Sequence, residues 1–183
     1  DGSLDRATFQ LGALTSRFAS VLRALNTPGV RVVISERSPY SDRGVFAAVN
    51  LNRGTVEAKT YDLVFYELMA CLPASLESHV VYLEASVDTL VERVERRARA
   101  SESGGLPKAY MQALQHAHAD MLSKLPPARV HTVDASRDAG IVGAAVASVV
   151  SQLVRTRSHS RICVAPDSQS NNLMLGGGLL NGQ

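Results

Sequence analysis

The feature that most constrains this chain is an alternation. Three short runs rich in β-branched residues, "VRVVIS" at 30–35, "HVVYLEA" at 79–85 and "ARVHTVDA" at 128–135, are separated by long stretches with helical periodicity. Short apolar runs bounded by turn residues read as buried strands. Strands separated by helices join through right-handed crossovers into a parallel sheet. The expected fold class is therefore α/β, a parallel sheet with flanking helices.

The helical stretches follow from spacing. Leu11, Leu14, Phe18, Val21, Leu22 and Leu25 recur every three or four residues and predict an amphipathic helix from Leu4 to Leu25, stopped by "NTPG". A second helix is expected over about 42–51, and a third over about 56–72, with Tyr61, Val64, Phe65, Leu68 and Leu72 on one face and Pro73 beyond its end. Ser86 can cap a helix carrying Leu90, Val91 and Val94. Proline stands near the start of the next, which carries Tyr110, Leu114, Met121 and Leu125. Asp134 is read as a cap for the last helix, a stretch of small residues up to Val154 that is expected to pack closely.

Length and composition bound what such a fold can do. With 183 residues, 45% of them hydrophobic, one domain is expected over 1–154. From 155 to 183 the chain turns polar and then glycine-rich, the composition of a tail with no core of its own, and a protein partner is expected to hold it. A net charge of +2 argues against wholesale nucleic-acid binding. Cys71 and Cys163 have no metal-ligand spacing, which fits a reducing compartment. No apolar run approaches the roughly 20 residues of a membrane span and no secretory signal is present, so a soluble intracellular protein is expected. The opening "DGSLDR" lacks an initiator methionine and suggests a processed product, a fragment or part of something longer.

Chemistry concentrates after the first apolar run, in "ISERSPYSDRGVF". Ligands of open parallel sheets sit at the carboxyl ends of strands, which is where Glu36, Arg37 and Ser38 fall, and Arg43 could point back to the same crevice. Arginine's planar fork matches phosphate oxygens; Glu36 can orient an arginine or handle a proton. A local salt bridge explains the same residues equally well. "ERVERRARASE" supplies Arg93, Arg96, Arg97 and Arg99, beside a flexible "SGG". These suit a lid over phosphates, but Glu92 with Arg96 and Glu95 with Arg99 are also i,i+4 pairs of a solvated face. His116 and His118 diverge on a helix and are set aside as metal ligands. Phe9 and Gln10 combine an aromatic ring with a two-sided amide, a pair suited to a planar base, although any amphipathic helix could contain them.

In order, "FQ" near a helix start, "ERSPYSDRGVF" after a strand, "VVYLEASVDTLVERVERRARASE" and "LPKAYMQALQHAHADML" resemble the deoxynucleoside kinase family over about residues 7 to 125. The resemblance implies a P-loop kinase-like fold, ATP with Mg2+ as phosphoryl donor and a deoxynucleoside as acceptor at its 5′-hydroxyl. It implies that Gln10 reads the nucleobase edge between Phe9 and Phe46, and that Arg37, beside Glu36, lies near the 5′-hydroxyl. Arg93, Arg97 and Arg99 are similar to lid arginines, and Glu102 to the acid that holds the sugar 3′-hydroxyl, with Ser101 replacing a second acid usual there.

The chain departs from the family at one decisive place. No G-x-x-x-x-G-K-[ST] occurs in it, and the "GGG" at 176–178 precedes neither lysine nor helix. Without the loop's amides and lysine the phosphates lose their cradle, so this polypeptide alone is expected to be inactive. Relative to the family it lacks the N-terminal strands and phosphate loop, including the central strand, and another segment is expected to complete the sheet. Two readings follow. One is a deoxynucleoside kinase whose phosphate-loop segment lies outside this chain. The other is a non-catalytic accessory subunit, for which the kinase-like subunit of respiratory complex I is a family-level precedent; mitochondrial localisation is expected on family grounds only.

Overall fold

A computed structural model describes residues 5–73, 76–97 and 107–157. Helix α1, Arg6–Leu25, starts where the Asp5 carboxylate accepts the Thr8 amide at 2.9 Å, satisfying one of the amides that a first turn leaves open. Its buried face is Gln10, Leu14 and Phe18, a stripe at i, i+4 and i+8.

Helix α2 covers 39–50 in three pieces: a turn at Pro39–Ser41, a π-helical stretch at Asp42–Ala47 and a last turn at Ala48–Asn50. Ser38 and Ser41 form a reciprocal capping box at its start, with proline in the first turn, where a missing amide costs nothing. Helix α3, Val56–Ala70, is capped by Thr55, whose hydroxyl accepts the Ala58 amide. The three helices enclose the best-packed part of the molecule: Leu14, Ala47, Tyr61 and Phe65, flanked by Leu11, Leu51, Val64, Leu68 and Met69. Each such large side chain removed from water contributes roughly 1.5–3 kcal/mol.

Strands β1, Val80–Glu84, and β2, Val130–Asp134, pair in parallel with Val80 opposite Val130 and Glu84 opposite Asp134. Between them run α4, Val87–Arg97, entered through Ser86, and α5, Lys108–Ser123, which begins directly after Pro107. Helix α6, Ala139–Arg157, returns along β2. The parallel pair with flanking helices is the α/β architecture that the sequence predicts.

Three expectations need correction. Residues 30–35 are not a buried strand. They lie outside any ladder, with Val30, Val32 and Ile34 exposed, Ile34 at 73%. β-Branched residues favour extended backbone, but a strand exists only against a hydrogen-bonding neighbour, and none of the described residues supplies one. The close packing expected of α6 is absent: Ile141 is 55% exposed and Val154 38%. Its Ala139–Thr156 window is, by length and composition alone, apolar enough to cross a membrane, which the sequence reading overlooked. Finally, Asp134 does not cap α6. Its carboxylate takes the Ser136 amide and hydroxyl in the preceding turn, and Asp138 accepts the Gly140 amide at 2.8 Å instead.

Candidate functional site

The segment joining the extended strand-like run to α2 is held by four side chains. The Ser35 hydroxyl donates to the Arg37 carbonyl at 2.8 Å, Arg17 of α1 donates to the Glu36 carbonyl at 2.8 Å, and Ser38 and Ser41 close the helix start. Within this frame Arg37 has φ 63°, the single positive φ among described residues other than glycine. A side chain with a Cβ occupies that region only when its surroundings hold it there, and such residues concentrate at functional sites. The Arg37 guanidinium lies 3.9 Å from the centre of the Phe46 ring, in cation–π contact. Phe46 in turn meets His118 of α5 edge-on at 6.2 Å, and His118 packs against Tyr82 of β1 at 5.6 Å. A row of rings thus ties the arginine to the sheet.

Successive residues on a helix face different neighbours, and the π stretch of α2 uses this. Asp42 faces α1 and is 2% exposed; its Oδ2 accepts Arg17 Nε at 2.6 Å. Burial pushes the Asp42 carboxyl above its ordinary range, against the hydrogen bond and charge of Arg17 and the charge of Arg37. Arg43 faces the other way, towards α3, where its Nε donates to Asp62 at 2.7 Å and its guanidinium covers Phe65 and Tyr66. Arg43 therefore does not point back to the crevice as expected. It makes the local salt bridge that was the alternative.

Gln10 is 6% exposed, and its carboxamide has no hydrogen bond among the described residues. Its polar atoms are not among the fully buried unpartnered ones, so they remain open to an incoming polar edge. Phe9, by contrast, is 58% exposed and encloses nothing. Between α1 and residues 33–36 opens a cleft of about 380 Å³, with Arg17, Ser35 and Glu36 on its wall. Arg93 donates to the Arg137 carbonyl at 3.3 Å, next to the turn after β2, and Arg97 ends α4 exposed to solvent. Arg99, Glu102 and the tail fall outside the described residues.

Structure therefore sets Arg37 and Phe46 together beside two residues that the sequence reading missed, Arg17 and Asp42, while Gln10 lies on the buried face of α1. A signal for Arg17 existed: it is seven residues after Gln10, hence on the same helical face. Asp42 had none, since the π stretch that turns it inward leaves no mark in the hydrophobic pattern.

The fold class is thus a parallel α/β sheet with flanking helices, in which ligands bind beside the carboxyl ends of the strands. The fold agrees with that of solved kinases: deoxyadenosine kinase from M. mycoides with bound dATP superposes at a TM-score of 0.59, with 21% identity, over 79% of this chain and 72% of that one. The deoxynucleoside kinase family profile matches residues 6–155, and the chain belongs to that family. Deoxycytidine kinase from Homo sapiens is 32% identical over 124 residues, 63% of this chain and 47% of that protein. Mitochondrial deoxyguanosine kinase from Xenopus laevis is 30% identical over 128 residues, 64% and 47% respectively. The chain thus spans about half the length of these curated relatives.

Proposed function

We propose that this chain forms the nucleoside-binding part of a deoxynucleoside kinase, which transfers a phosphoryl group from ATP to the 5′-hydroxyl of a deoxynucleoside. The observation that carries the reading is Arg37, held at positive φ and stacked on Phe46 beside the part-buried Arg17–Asp42 pair. In this reading the Gln10 carboxamide offers one donor and one acceptor to a nucleobase edge. Asp42, fixed by Arg17, adds a second polar edge. Phe46 provides the flat surface, and Arg37 holds the 5′ end of the sugar, with Glu36 adjacent. Rigid placement of such groups is the main lever in phosphoryl transfer.

The described residues fit the acceptor better than the donor. Arg93 reaches the turn after β2, but the sequence contains no phosphate loop, and among the described residues no cluster of three or more His, Cys, Asp or Glu could hold a metal ion. ATP and Mg2+ would be held by a segment outside this chain, and no step is derived through them. The test is a deoxynucleoside phosphorylation assay on the protein expressed with its complete coding sequence. Arg37→Ala is expected to lower kcat/KM at least 100-fold, and Gln10→Ala to raise KM with kcat less affected. Full activity in Arg37→Ala would refute the assignment.

A second reading rests on the exposed residues 30–35 and the exposed face of α6. Surfaces of this kind suit incorporation into a larger assembly, in which the kinase fold is an accessory building block, as in mitochondrial respiratory complex I. Here the complete protein would neither phosphorylate nor bind deoxynucleosides, and the chain would co-purify with partner subunits that cover residues 30–35 and contact the tail.

A further inference from the structure

At the amino-terminal end of the sheet two imidazoles, one just before β1 and one on β2, meet. His79, directly before β1, presents Nδ1 at 3.1 Å from Nε2 of His131 on β2, with ring centres 5.3 Å apart and ring planes inclined by 26°. The other nitrogen of His79, Nε2, lies 3.4 Å from the Glu77 carboxylate. The parallel ladder fixes both backbones, since Val81 is opposite His131.

We propose that this pair is a binding site for one divalent transition-metal ion, such as Zn2+. Two imidazole nitrogens on one tetrahedral ion, each at about 2.0–2.1 Å, are roughly 3.3–3.4 Å apart, and their ring centres are about 5 Å apart. The observed pair needs only a small spreading to reach that geometry. Glu77 stands where carboxylates orient metal-bound histidines: a proton on His79 Nε2 directed at Glu77 leaves Nδ1 with its lone pair towards His131. With that tautomer, the lone pair accepts His131 Nε2–H in the metal-free protein. On binding, the hydrogen moves to His131 Nδ1, and both facing nitrogens become ligands. No third His, Cys, Asp or Glu completes the set among the described residues, so water fills the remaining positions. Nitrogen ligands select zinc, nickel, cobalt or copper over magnesium and calcium. The site is separate from the proposed nucleoside site and does not depend on it.

Calorimetric titration of the full chain with Zn2+ at neutral pH, after chelator treatment, tests the assignment. A single site is expected, weakened at least tenfold by His79→Gln and by His131→Gln, about tenfold by Glu77→Gln, and unchanged by His116→Gln. Should a variant fail to fold, the wild type decides by NMR: Zn2+ is expected to shift the ring-proton signals of His79 and His131 before those of His116 and His118. Absence of binding, unchanged affinity in both histidine variants, or unshifted His79 and His131 signals would overturn the proposal.

Discussion

The helical half of the molecule and the sheet half are built from similar proportions of apolar residues, yet they differ in what those residues achieve. Around α1, α2 and α3, Leu14, Val45, Tyr61 and Phe65 are at most 5% exposed. On the sheet side, Ala85, Val133 and Ala135 are buried, whereas Leu83 is 50% exposed and Ile141 55%. The first half closes around a cluster of large buried side chains, although Phe9, Val56, Leu63 and Tyr66 on its own helices stay exposed. The second encloses no such cluster, and its exposed apolar residues lie on elements that, in a parallel sheet, expect cover on both faces. The proposed nucleoside site rests on the closed half, where packing fixes side-chain positions.

Core truncation gives the largest test of this contrast. Leu14→Ala is expected to cost about 2–5 kcal/mol in urea denaturation, and Val133→Ala about 1.5 kcal/mol. Equal losses would break the comparison. Tyr61→Phe should move in the opposite direction. The Tyr61 hydroxyl is buried without a hydrogen-bond partner, and burial together with the charge of Asp42 keeps it protonated well above the usual phenol range. Removing that hydroxyl is expected to stabilise the chain by about 1 kcal/mol. A loss of similar size would show that an internal water or ligand completes the group.

The smallest expected effect contrasts two aspartates. Asp42, in the closed half, has its value raised by burial, so its contribution to stability is fully present below its unfolded value of about 3.9 and is lost as pH rises through the folded one. Asp134, on the sheet side, is lowered by hydrogen bonds from Ser136 and then Arg137; its contribution is present above the unfolded value and is lost as pH falls through the folded one. Relative to the parent chain, Asp42→Asn should gain stability between pH 4 and 7, while Asp134→Asn should lose a little over the same interval. Urea midpoints at the two pH values read both signs.

The same division governs what was legible beforehand. Helices α1, α3 and α5 and both strands follow from local periodicity, because their neighbours lie within the chain. The run at 30–35 has the composition of a strand, but composition cannot supply a partner. Arg37 stands out by its place after the run at 30–35 and Gln10 as a two-sided amide, and the family resemblance supplied a role for each. The geometry that sets Arg37 beside Arg17 and Asp42 depends on a π stretch and a part-buried ion pair, and neither has a periodic signature. Arg43 shows the reverse error: the same kind of residue, one position along, belongs to the α3 interface.

The backbone twist at Arg37 has a consequence for how variants of this chain are to be judged. Glycine would relax that residue and yield a sturdier polypeptide, so a screen for robustness alone would favour discarding the guanidinium. Retention of arginine there trades durability for a positive charge in a fixed place.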